Sequence, residues 1–438
     1  MKITADFTNI TGRVKPMHGV GQPPIYGLRD HWMHYIGEAG IPYSRLHDAG
    51  GAYGGSRFVD IPNVFPDFDA DETDPASYDF TFTDWLMTAI KKQGCEPFYR
   101  LGVTIENFAN VKAYRTFPPK DFEKWARICE HIVRHYNEGW ADGFHYDIKY
   151  WEIWNEPEGK SCWGGTREEF FRLYEVASNH LKNCFGDSIR VGGYASCGWY
   201  CYADDPDLTG DIEPKTFRDT FIPYGHAFLQ YISSEEHKSP LDFFSWHSYS
   251  EVDEVLRQED YCRRLLDKYG YGDTEDILNE WNPYHTAENR STPAAAANAL
   301  AIMLAMQKKP VGVMCYYDAR IATSPYGGMF NPDTWNPYLT YYAFMSFNRA
   351  YVLGNEVATA SDNDKVFVLG ATNGKKNVLL LANISDKPIE AELDLTGADL
   401  SDHEILMIDS VYHYSPTGKQ IADGKLILPA NSCVEIRL

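Results

Sequence analysis

Two glutamates in this 438-residue chain stand where a carboxylate has to be explained. Glu156 closes the apolar stretch KYWEIWNEPEG (149–159), and Glu280 closes EDILNE (275–280); each follows an asparagine, Asn155 or Asn279. An unpaired carboxylate in apolar surroundings is costly, so a carboxyl ending such a run needs a partner or a task. Two carboxylates facing one another can split a glycosidic bond. One, protonated because burial or its neighbour's charge raises its pKa, protonates the departing oxygen; the other, ionised, attacks the anomeric carbon. A gap of roughly 5–5.5 Å implies retention through a covalent intermediate, and roughly 6.5–9.5 Å implies inversion with a water between them. Taken singly, either glutamate reads equally as a salt-bridge or capping residue. The repeated Asn-Glu pair at the ends of two apolar runs is what joins them. Glu152, deeper in the first run, reads as a paired structural residue.

Closing two distant runs on one site requires a particular scaffold. From about residue 17 to 348, short apolar runs alternate with amphipathic helical stretches. The runs are MHGVG (17–21), IPYSRLH (41–47), EPFYRLG (96–102), DIKYWEIWNE (147–156), SIRVGGY (188–194), LDFFSWH (241–247), EDILNE (275–280) and VGVMCYYD (311–318). Helical periodicity marks 79–94, a stretch from about 119, 166–185, 216–233, 254–269, 291–308 and 336–348. Alternation of this kind predicts parallel strands with helical crossovers, and eight units predict a (β/α)8 TIM barrel. Its active site lies at the C-terminal ends of the strands. Those positions offer Arg45 and His47, Asn155 and Glu156, His247 and Tyr249, Glu280 and Trp281, and Tyr316, Tyr317 and Asp318. Trp163, in the loop CWGGT, is open between packing and a sugar platform, and His247 between a core histidine and a site residue. The acidic loop DFDADETD (67–74) lacks the Gly and terminal Glu of an EF-hand and reads as solvated.

Beyond 349 the pattern changes to paired apolar runs around turns, as in KVFVLGATNGKKNVLLLANIS (365–385). The expected organisation is a catalytic barrel over 17–348 and an antiparallel β-sandwich over 349–438, completed by the N-terminal strand within 1–16.

Composition narrows the partners. The net charge of −22, with no basic cluster longer than a pair, repels phosphate backbones, so no nucleic-acid partner is expected. Aromatics at 15% suit flat ligands such as sugars. Neither a G-x-G-x-x-G nor a P-loop motif calls for a nucleotide; no cofactor and no metal are expected, though His47, His247, Glu156 and Glu280 are the ligands a metal-dependent sugar isomerase would recruit. No apolar run approaches ~18 residues, so no membrane span is expected. The N-terminus lacks a signal-peptide h-region, which as written implies a cytoplasmic protein; a removed signal would leave the same chain. Nine scattered cysteines without a C-x-x-C read as free thiols. An oligomer stays open.

WEIWNEPEG followed by ILNEWN resembles the signature pair of the clan GH-A retaining glycoside hydrolases, which are TIM-barrel enzymes. Within that clan the chain most resembles glycoside hydrolase family 39, home of β-xylosidases and α-L-iduronidases. YSRLHD, DFTFTDWLMTAIKKQGCEPFYRLG, VGGY, DFFSWHSY and the C-terminal β region carry the similarity over nearly the whole chain. The resemblance implies a retaining exo-glycosidase, β-xylosidase-like, acting on an oligosaccharide or glycoside. It implies Glu156 as acid/base, Glu280 as nucleophile and Asn155 on the sugar 2-hydroxyl. It also implies Arg45, His47, His247 and Tyr249 around the bound sugar; Trp163, Trp281 and Tyr317 complete the expected substrate-binding set. The family's xylosidases usually read TEW where this chain has NEW, and strand three runs on as YRLGVTIENF. An α-L-arabinosidase, a uronidase of the same family and a non-catalytic carbohydrate-binding barrel therefore stay open.

Overall fold

The computed structural model describes residues 1–25, 29–47, 49, 58–104, 116–284, 289–321 and 328–438. The chain opens with strand β1 (Lys2–Arg13). The barrel strands follow: β2 (Gly19–Gly21), β3 (Tyr43–Leu46), β4 (Glu96–Leu101) and β5 (Tyr150–Ile153), then β6 (Arg190–Ser196), β7 (Phe243–Ser248), β8 (Glu275–Trp281) and β9 (Val311–Tyr317). Every neighbouring pair is parallel, and β2 pairs with β9, so among the described residues eight strands close into a TIM barrel. Strands buried on both faces need near-continuous apolar sequence, which is why these runs stood out.

The helices between them are α1 (His34–Glu38), α2 (Ile61–Val64), α3 (Thr81–Lys91), α4 (Phe122–Asn137) and α5 (Arg167–Phe185), then α6 (Phe221–Ser233), α7 (Val252–Lys268), α8 (Pro293–Met306) and α9 (Leu339–Leu353). Their starts are locally encoded. Thr166 and Glu169 form a reciprocal capping box on α5, and the Thr292 hydroxyl accepts from Ala295 N–H at the Pro-led start of α8. The last helix runs beyond the expected 348 and stops at Gly354, whose φ of 88° suits only a residue without a Cβ.

The floor of the barrel is an apolar plug of Phe98, Tyr150, Phe243, Ile277, Val313 and Cys315. Phe98 stacks on Tyr150 with ring centroids 5.0 Å apart, and Phe243 meets both rings edge-on. Above this plug the inward residues turn polar, and that layer holds the site.

The remaining strands are β10 (Asn355–Ser361), β11 (Val366–Thr372), β12 (Asn377–Asn383) and β13 (Ile389–Thr396), then β14 (Glu404–Ile408), β15 (His413–Pro416), β16 (Lys425–Leu428) and β17 (Ser432–Arg437). With β1 they form one curled nine-stranded sheet in the order β15-β14-β17-β12-β11-β10-β1-β13-β16. All its pairings are antiparallel except β1 with β13. Period-two alternation splits β11 and β12 between two cores. Val368, Leu379 and Leu381 join Ile3, Phe7 and Val434 inside the sheet, while Leu369, Leu380 and Ala382 face the barrel core beside α8 and α9. All nine cysteines are free thiols. No helix among the described residues is long and apolar enough to cross a membrane.

Candidate active site

The pleat of a strand alternates its side chains between faces, so adjacent residues cannot both point into a barrel. Asn155 and Glu156 do so because regular strand ends at Ile153. Trp154 (φ 72°) and Glu156 (φ 47°) adopt the left-handed region, where a residue with a Cβ costs about 1–2 kcal/mol. The neighbouring strands hold this irregular segment: Trp154 N–H donates to Leu101 carbonyl at 2.8 Å and Glu156 N–H to Ala195 carbonyl at 3.0 Å. Pro157 then forbids any further ladder bond.

A second irregularity does the same for Asn279 and Glu280. Trp246 of β7 lies opposite Leu278, but the next residue, His247, lies opposite Glu280, so Asn279 is an extra residue on β8. Such a bulge re-aims side chains. The Asn279 amide reaches Glu152, and Glu280 reaches the mouth.

Arg45 at the end of β3 organises the polar layer. Its Nε donates to Glu152 Oε2 at 2.8 Å, Nη2 to Asn155 Oδ1 at 2.6 Å and Nη1 to Glu280 Oε2 at 3.1 Å. Burial works against this guanidinium's charge, but Glu152 and Glu280 hold it protonated. Glu152 also accepts from Ser245 Oγ at 2.6 Å; it is the structural counter-ion of the layer.

Glu280 is held from three sides. Besides Arg45, Tyr249 donates its phenol to Oε1 at 2.5 Å, and His247 Nε2 stands 3.7 Å from Oε2. Burial raises the Glu280 pKa and Glu156 adds to the rise; His247, Arg45 and the Tyr249 bond oppose it. Across the mouth, Glu156 Oε1 lies 2.7 Å from His247 Nδ1. One oxygen of Glu156 and one of Glu280 lie within 4.8 Å of each other, with the imidazole between them. Burial lowers the His247 pKa to about 4 even with Glu280 beside it, so the ring is neutral at ordinary pH. The two carboxylates differ in access: the Glu156 side chain is 24% exposed and that of Glu280 8%.

His47 joins this group. Burial, then Arg100 and Arg45, depress its pKa well below the usual value. Tyr317 lies near enough to Tyr249 to raise that phenol's pKa, and Arg320 stacks over the Tyr317 ring at 5.7 Å. Tyr316 and Trp281 instead pack outward, where their rings meet edge-on at 5.2 Å beside Phe344 of α9. Trp163 is likewise set in packing. Its indole lies edge-on to Trp154 at 5.0 Å and against Phe170, and its N–H donates to Thr166 carbonyl. Of the two readings open for Trp163, packing is the one these contacts favour, and the residue is 1% exposed.

Four residues near the site were not read from the sequence as site residues. Arg100 is an inward position of β4 beside Phe98 and was open to the period-two rule. Its Nη2 donates to Asp60 at 2.7 Å. Tyr200, whose phenol accepts from Tyr249 N–H at 3.0 Å, lies in a loop without periodic signal. Glu158 and Asn279 owe their inward placement to irregular backbone. Glu158, accepting from Ser196 Oγ at 2.9 Å, is pushed up to about 8 by burial. The acidic loop 67–74 spends its carboxylates locally: Asp69 pairs with Lys120, and Glu72 with Lys124 and Arg127.

Known proteins resemble the chain in sequence and in fold. The chain is 27% identical over 265 residues to a β-xylosidase from Caldicellulosiruptor saccharolyticus, covering 57% of this chain and 46% of that one. It is 26% identical over 182 residues to a β-xylosidase from Geobacillus stearothermophilus, covering 40% of this chain and 31% of that one. The match thus spans less than half the length of either relative. In fold the chain resembles a glucosidase from Croceicoccus marinus, with a TM-score of 0.79, 20% identity and coverage of 100% and 98%. It also resembles a monomeric β-xylosidase from Caulobacter crescentus, with a TM-score of 0.70, 17% identity and coverage of 99% and 98%. The family model for glycosyl hydrolases family 39 matches residues 63–310, more than half of the sequence, and the chain belongs to that family.

Proposed function

We propose that the protein is a retaining exo-glycosidase that removes a terminal β-xylosyl unit, with Glu280 as nucleophile and Glu156 as acid/base. The observation that carries this reading is the pair of unequal carboxylates within 4.8 Å. That separation falls on the retaining side of the two geometries. Glu280, whose ionised form Arg45 and Tyr249 support against the opposing effect of burial, is assigned as the nucleophile. Glu156, the more exposed, faces the side from which a leaving group departs.

In the first step a Glu280 oxygen bonds to the anomeric carbon while the carbon–oxygen bond to the leaving group breaks. The Glu156 proton passes to the departing oxygen. In the second step water attacks the anomeric carbon, Glu156 takes the water's proton, and the bond to Glu280 breaks with its electrons returning to the carboxylate. Arg45 holds Oδ1 of Asn155, so the Asn155 amide N–H is directed to the sugar 2-hydroxyl, a bond that strengthens as the oxocarbenium-like transition state forms.

A terminal uronate is the second reading, and Arg100 favours it. Its guanidinium is fully buried beside His47, and among the described residues its Nε and Nη1 make no hydrogen bond. Buried donors of this kind would be satisfied by a sugar carboxylate. A panel of p-nitrophenyl glycosides (β-xyloside, both arabinosides, glucoside, galactoside and uronides), run with and without EDTA, tests both. Fastest release from the xyloside supports the first reading and from a uronide the second. Binding without release from any member would mean a carbohydrate-binding barrel, and loss of release in EDTA would point to metal chemistry.

A further inference from the structure

We infer that the Glu156 side of the mouth is a leaving-group subsite built for a unit carrying a carboxylate, with Arg218 as its anion-binding residue. This rests on Glu156 being the acid that faces the leaving group, and holds for either terminal sugar.

A connected wall of side chains leads outward from the two glutamates. Tyr249 bonds Glu280 through its phenol and Tyr200 through its backbone N–H. Tyr200 lies within electrostatic reach of both Glu156 and Arg218, which shift its phenol in opposite directions. The Arg218 guanidinium lies over the Tyr200 ring, 4.8 Å from its centroid. Next to it, Phe217 is 56% exposed. Its ring tip lies 3.6 Å from where a Cβ on Gly159 would sit, and Gly159 N–H donates to Glu156 carbonyl at 3.0 Å. Phe217 is braced from behind by Phe221, edge-on at 4.8 Å. An exposed aromatic ring thus stands against Gly159, three residues past the proposed acid, and the next residue in sequence carries the guanidinium.

The charge of Arg218 is not spent on a carboxylate of the fold. No ion pair or side-chain hydrogen bond joins it to a carboxylate among the described residues, in a chain whose net charge is −22. Its neighbour Asp219 is already occupied by the Cys201 thiol and by the Lys215 and Thr216 N–H groups. A guanidinium stacked by its face on an aromatic ring keeps its edge N–H donors free, and that edge matches a planar carboxylate. Phe217 suits the flat face of a sugar or an aryl ring. The shared chemistry is a ring bearing a carboxylate, either a uronic acid or an aromatic acid.

The test compares wild-type protein with Arg218→Gln. The kinetic arm measures kcat/KM for 4-carboxyphenyl and 4-carbamoylphenyl β-xylosides, a charged and a neutral leaving group of similar shape. The acid-to-amide ratio in wild type should exceed that in the variant by about 1.4-fold to fivefold, the range of an exposed charge pair, and the excess should shrink with added salt. The binding arm uses ligand-detected NMR on two pairs: methyl β-glucuronide against methyl β-glucoside, and 4-hydroxybenzoate against 4-hydroxybenzamide. Tighter binding of a carboxylate, removed by Arg218→Gln, supports the subsite, and the pair showing it identifies the source. Equal binding within both pairs, or a preference surviving the variant, overturns it. Absence of turnover with both xylosides would count against the catalytic reading alone, because the binding arm still decides the subsite.

Discussion

Replacing Tyr249 by Phe keeps the ring and removes one hydroxyl, the donor 2.5 Å from Glu280 Oε1. Glu280 is buried, and its pKa is already above the ordinary carboxylate value because burial outweighs the neighbours that favour its charge. A hydrogen bond to a charged group is worth about 1.5–3 kcal/mol. At 1.36 kcal/mol per unit, its loss raises the Glu280 pKa by about one to two further units. The sign is fixed: the phenol bonds the ionised form, so without it the carboxyl holds its proton to higher pH. The acid limb of kcat/KM, which reports groups of the free enzyme, should therefore move up by about one to two units in Tyr249→Phe. The height of the plateau also reflects sugar orientation, so the position of the limb is the diagnostic quantity. Stopped assays with an aryl glycoside from pH 3.5 to 8 give it directly. A limb that stays in place, or moves to lower pH, would refute the view that Tyr249 holds Glu280 ionised.

Three other predictions follow from the same layer and the packing behind it. Arg45→Lys places one ammonium where three directed bonds to Glu152, Asn155 and Glu280 now run; kcat/KM should fall by ~100-fold or more and urea stability should approach the ~3–5 kcal/mol loss of a broken buried pair, and near-native values for both would contradict this. Glu259 is buried, and burial with Asp276 beside it moves its pKa from 4.5 to about 7, opposed by Lys309. Its folded-state pKa exceeds the unfolded one, so the native state loses stability as pH rises from 4.5 through 7, by at most roughly 3 kcal/mol. Glu259→Gln should accordingly gain on wild type in urea midpoint between pH 5 and pH 8, and a pH-independent difference would dismiss the idea. Gly198→Ala should lower both activity and melting temperature, because φ is 113° and the new Cβ would meet His247 carbonyl; unchanged activity and melting temperature would show that the loop yields freely.

The barrel was legible because its strands are buried on both faces and most of its helices on one. The alternation of 96–101, 122–137 and 150–153 carries those two periods in plain form. The same rule hid the detail of the site. Period two assigns Asn155 and Glu156 to opposite faces, and likewise Asn279 and Glu280. Both pairs face inward only through left-handed residues at Trp154 and Glu156 and an extra residue at Asn279. Nothing local marks a tryptophan or glutamate for positive φ, since such conformations persist where the surrounding structure imposes them. The depth of Glu152 was readable because one pleat below a strand end lies inside a barrel. Trp163 was not readable, since a tryptophan in a Gly-rich loop has the same sequence signature whether it meets a sugar or another indole.

In the proposed mechanism Glu280 becomes covalently bonded to the sugar. Incubation with an activated 2-deoxy-2-fluoro-β-xyloside, whose fluorine slows the second step, followed by peptide mass spectrometry, tests it most directly. One adduct is expected, on the peptide carrying Glu280, formed as activity is lost. An adduct on a different residue, or sustained turnover of the parent xyloside with no adduct at all, would contradict it.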